Sequence, residues 1–90
     1  MAVEWAPSAA KHDVPREDVL HAIAAAEVQV ELGPGKYPGE VNVLWIGHPH
    51  AQTDRYLEVL AAVHHTHARI TIFHAMALTD RYRHHLGGTA

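Results

Sequence analysis

The sequence predicts an α+β domain: two N-terminal helices, a four-stranded antiparallel meander and a short C-terminal helix. Three observations predict it. Pro15 is followed by Glu17 and Asp18, with apolar residues at helical spacing behind them. Residues 28–32 alternate with period two. From there to Met76, β-branched and aromatic runs are separated only by short turn-rich loops.

Residues 1–6 read as a short strand or an arm. Ser8 is placed to cap a first helix over 9–12, which Val14-Pro15 breaks. Pro15 opens a second helix over 16–27, with acids in its first turn and Val19, Leu20 and Ile23 facing inward. The four strands are 28–32, 41–47, 55–65 and 68–76. The loop from Gly33 to Gly39 follows the first and the loop from His48 to Asp54 the second. Thr79 starts a last helix over 79–86, ended by Gly87-Gly88.

A two-residue turn at Thr66-His67 would set Val59 opposite His74. One face then carries Leu57, Val59, Ala61, Val63, Ile70, Ile72, His74 and Met76, joined by Leu44 and Ile46, and forms the core under the helices. The other carries Tyr56, Glu58, Leu60, His64, Arg69, Thr71, Phe73 and Trp45. Trp45, Leu60 and Phe73 make an apolar strip on it, a candidate partner surface.

Composition narrows the function. Ninety residues make one domain, 1–90. There is no cysteine, which excludes disulfides and thiolate chemistry. With 48% hydrophobic and 19% charged residues the chain is no disordered tail. It has no apolar run long enough to span a membrane, and its start lacks the features of a secretion signal, so the expected location is the cytoplasm. The formal charge of −3 argues against a purely electrostatic hold on nucleic acid, although ten histidines soften that sign near pH 6.

The histidines suggest metal first. His48-Pro-His50 and His64-His65-Thr66-His67 fall at opposite ends of one predicted strand, too far apart to share an ion, and no zinc pattern is present. No metal and no cofactor is expected. His74 differs, because it closes a strand beside a helix carrying Arg81 and Tyr82. Its plain reading is a hydrogen-bonded core histidine. Its functional reading is a general acid or base near Lys11-His12. RNA cleavage needs a base, an acid and a cation for the transition state, and His74, His12, Arg81, Lys11 and Tyr82 offer all three. Arg69 and Arg83 are further candidates for binding substrate, or simply solvate their elements.

Several stretches resemble the BrnT-like toxins of bacterial type II toxin–antitoxin pairs, within the RelE/ParE-like group. They are Glu4-Trp5, Lys11-His12-Asp13-Val14, Asp18-Val19-Leu20, Leu44-Trp45-Ile46-Gly47, the run from Ile70 to Met76, and Asp80-Arg81-Tyr82. The resemblance implies a RelE-like fold and a metal-independent endoribonuclease acting on RNA. It implies neutralisation by a cognate antitoxin encoded by an adjacent gene, with the chain in a toxin–antitoxin hetero-oligomer or a homodimer. The positions carried over are His12, His74, Arg81 and Tyr82, with Lys11. Toxins of this group carry arginine and lysine after the fourth strand, where this chain has Met76 and Ala77. The alternative expectation is therefore a toxin-like binding module without catalysis, working through an antitoxin or homodimer interface.

Overall fold

In the computed structural model, which describes residues 2–87, a single mixed sheet replaces the expected meander. Its strands are β1 (Ala2–Trp5), β2 (Val28–Pro34), β3 (Glu40–Gly47), β4 (Leu57–His64) and β5 (Arg69–Ala77), in the order β1-β5-β4-β3-β2. Strands β2 to β5 pair antiparallel, as expected, but β1 adds a parallel edge against β5. Four residues with no alternating pattern gave little sign of this pairing. A parallel partner needs a crossover, and here the whole chain between residues 5 and 69 supplies it.

The helices are shorter than the sequence suggested. The first is a 3-10 helix, Pro7–Ala10, opened by proline and not by a Ser8 cap. α1 runs Arg16–Ala24 and stops three residues before its expected end, because the Glu27 amide is drawn to the Ile46 carbonyl at 2.9 Å. Val19 and Ala22 are buried, Ile23 packs against the core and Leu20 turns to solvent. At Gly47 the helix lies directly on the sheet: an added Cβ would collide with the Ala22 carbonyl oxygen. α2 is one turn, Asp80–Arg83. The expectation of two full N-terminal helices over a four-stranded antiparallel sheet of RelE-like form is thus corrected to a five-stranded mixed sheet with two short α-helices.

The register holds from the turn to Ala61↔Ile72, then slips. Phe73 is an extra residue on β5, so Leu60 and not Val59 faces His74. The bulge is anchored from outside the strand pair: Ser8 Oγ donates to the Phe73 carbonyl at 2.7 Å, and the Ala6 amide to that of Ile72 at 2.9 Å. A one-residue slip moves every later side chain to the other face. His74 and Met76 therefore leave the helix-covered core, where Ala75 takes their place. The pairing of β3 with β4 sets Trp45, not Leu44 or Ile46, on the helix face.

The helix face is an unbroken apolar layer of Val43, Trp45, Val59, Ala61, Ile72 and Ala75 under α1. The opposite face is built in two halves. Leu44, Ile46 and Leu60 pack under Leu78, Tyr82 and Leu86 at one end. At the other end Asn42, Ala62 and Thr71 line an open groove. Among the described residues, no helix is long and apolar enough to cross a membrane.

Candidate functional site

The bulge delivers His74 to the border between these two halves, opposite Leu60 and two pairs along from Glu58, on the same face. Glu58 is the one acid in β4, and its side chain is only 3% exposed. A buried carboxylate must find hydrogen-bond donors, and this one finds three. His74 Nε2 donates to its Oε2 at 2.7 Å, while the Thr79 amide and hydroxyl donate to its Oε1 at 2.7 and 2.6 Å. Glu58 thus ties the end of β5 to the start of α2 and orients one imidazole.

The consequence for His74 is chemical. A carboxylate accepts only, so Nε2 carries the hydrogen, and in the neutral ring the lone pair is on Nδ1. Nδ1 has no partner among the described residues, and the side chain is 25% exposed, so solvent reaches it. A second imidazole stands beside it: the exposed His12 ring meets His74 edge-on, with centroids 5.8 Å apart. The 3-10 helix places His12 there, because the Ser8 bond that fixes the bulge also fixes the turn leading to it.

The structure brings together His12 and His74 from the expected set. Lys11 is exposed next to His12. Arg81 is exposed with its guanidinium 5.4 Å from the Tyr82 ring, and it makes no hydrogen bond or ion pair with His74 among the described residues. Tyr82 packs with Leu78 and Leu86. Arg83 holds its own helix, bonding Asp80 Oδ1 and the Leu78 carbonyl, each at 3.1 Å. Arg69 lies apart, in the groove.

The strip of Trp45, Leu60 and Phe73 is corrected. Trp45 is buried on the helix face, where its indole N–H donates to Gln29 Oε1 at 3.0 Å. Leu60 packs on the opposite face, and Phe73 lines the groove there.

Sequence reasoning missed Glu58 and Thr79. The signal for Glu58 was visible: a lone carboxylate inside an apolar strand must be paired or exposed. With the unslipped register it fell on the face opposite His74.

A second histidine–glutamate pair lies in the loops. His48 Nε2 is 3.2 Å from Glu27 Oε2, its Nδ1–H donates to the Arg55 carbonyl at 2.6 Å, and its ring stacks on Tyr56 at 4.2 Å. The Tyr56 hydroxyl donates to Glu27 at 3.0 Å. That hydrogen bond, desolvation and the nearby charges of Glu27 and Asp54 raise the Tyr56 pKa above the usual tyrosine value. His21 Nδ1–H donates to the His48 carbonyl at 2.8 Å. Among the described residues, no group of three or more histidines and carboxylates is placed to hold a metal ion.

Comparison of the chain with known protein families, curated proteins and solved structures found no match.

Proposed function

We propose that this chain is a BrnT-like toxin: an endoribonuclease that cleaves single-stranded RNA with one imidazole as base and a second as acid, without a metal ion. The observation that carries the reading is the His74 ring, held through Nε2 by a buried carboxylate, with the His12 ring edge-on beside it. Nδ1 of His74 takes the proton of a ribose 2′-hydroxyl. The freed oxygen attacks the adjacent phosphorus, and the 5′-oxygen leaves with a proton from His12, giving a 2′,3′-cyclic phosphate and a 5′-hydroxyl end. Single-stranded RNA suits the site because an unstacked nucleotide exposes both the hydroxyl and the phosphate. The reading assigns the phosphate charge to Arg81, which follows Thr79 by two residues and would have to swing its guanidinium off the Tyr82 ring to reach it. A cognate antitoxin from the adjacent gene would neutralise the toxin.

The formal charge of −3 favours a second reading, in which the same scaffold only binds. Purified chain incubated with single-stranded RNA in chelator separates them. The nuclease reading expects cyclic-phosphate ends, lost in folded His12→Ala and His74→Ala variants. Undiminished cleavage by both variants removes the assignment. Binding without cleavage selects the second reading. Expression with and without the neighbouring gene tests the toxin.

A further inference from the structure

We infer that the groove beside His74 is a base-stacking subsite for the nucleotide that flanks the cleaved phosphate. The inference rests on the nuclease reading for its ligand, and on independent geometry for its location. The groove has a volume of about 610 Å³ and shares the sheet face of His74. Along that face the Leu60↔His74 pair is followed directly by Ala62↔Thr71, the groove floor. The bulge residue Phe73, next in sequence to the proposed base, lines the wall. A chain held at His74 and continuing along the sheet enters this groove.

The lining fits a nucleotide. Tyr37 is 60% exposed, yet its backbone is pinned: its amide donates to Glu40 Oε1 at 3.2 Å and its carbonyl accepts from the Glu40 amide at 3.1 Å. An exposed aromatic on a pinned backbone is a stacking platform in waiting, because every base offers a π-face. Across the groove Phe73 offers a second ring. Two cations frame them: Lys36, whose ammonium lies 5.6 Å from the Tyr37 centroid, and Arg69. Arg69 is half-buried and makes no ion pair or side-chain hydrogen bond among the described residues, so its guanidinium is open to a phosphate. Asn42 and Thr71 add polar groups suited to base edges. Two carboxylates also line the groove. Glu40 is buried and engaged by the Tyr37 amide, and Glu4 is exposed at the edge strand. The groove is therefore close to neutral, so stacking and not charge density is its main attraction.

The test is binding of a fluorescein-labelled, 2′-O-methylated single-stranded oligoribonucleotide, which cannot be cleaved, to the full chain by anisotropy. Tyr37→Ala weakens binding about tenfold, the size expected for one stacked base. Tyr37→Trp retains it. Phe73→Leu, with its fold checked by circular dichroism, weakens it by a similar factor. An RNA duplex of the same sequence competes poorly. Equal binding by wild type, Tyr37→Ala and Phe73→Leu overturns the subsite, as does a wild type that does not bind at all, the outcome expected if a protein partner fills the groove. Cleavage of the unmodified oligonucleotide is read separately. Loss of the nuclease reading leaves Tyr37-dependent binding standing, and loss of the subsite leaves His74-dependent cleavage standing.

Discussion

Two histidine–glutamate pairs sit among the described residues of this small protein, and their environments give them different work. Glu27 is half-exposed and His48 has both ring nitrogens against oxygen atoms, so neither is open to a substrate. It fastens the loop after β3 to the loop before β2. Glu58 is sealed in the sheet and His74 gives it only Nε2, leaving Nδ1 toward solvent. The same two residue types make a clasp in one place and an oriented base in the other. The difference lies in how many ring nitrogens are occupied and how deeply the carboxylate is buried.

The largest effect separating the pairs should be on stability. Glu58→Ala leaves the His74 N–H and two Thr79 donors without their shared buried acceptor, and should cost about 3 kcal/mol. Glu27→Ala removes two solvent-screened contacts, with His48 and with the Tyr56 hydroxyl, and should cost about 1 kcal/mol. Urea unfolding of both variants measures the gap. Equal losses would erase the distinction between buried and exposed pairs.

Thr79→Val sharpens it next. One donor to Glu58 is lost while the amide bond stays, so stability should fall by about 1 kcal/mol. Cleavage should fall as well, because the carboxylate that orients His74 is less firmly held. A variant of unchanged stability would show that the hydroxyl bond contributes nothing to the corner.

The smallest effect belongs to the exposed pair and depends on pH. Tyr56 keeps its proton to higher pH in the folded chain than in the unfolded one. Its contribution is therefore full below about pH 10 and declines as pH rises through the folded value. Tyr56→Phe should cost about 0.5 kcal/mol at neutral pH, and the gap to wild type should close above about pH 10. Thermal unfolding from pH 8 to 11 checks the sign. A gap that widens with pH would contradict it.

Much of the sheet was legible in the sequence because period-two alternation and turn residues mark strands directly. The antiparallel order of β2 to β5 and the register from His64↔Arg69 to Ala61↔Ile72 follow from those local signals. The slip at Phe73 does not, because the residue that anchors it, Ser8, lies 65 positions away. One bulge then changed the face of His74, and with it the partner of Glu58. His12 and His74 were recognisable as chemistry-bearing residues, and their meeting required the 3-10 helix to lie against β5. The parallel edge β1 was hidden for a similar reason: its partner is the last strand of the chain.

Chemical rescue tests the oriented base most directly. RNA cleavage by folded His74→Ala is measured in chelator, with and without added imidazole. The account predicts loss of about a hundredfold or more, partly restored by imidazole, with His48→Ala cleaving like wild type throughout. A His74→Ala variant that cleaves at the wild-type rate without imidazole would contradict it.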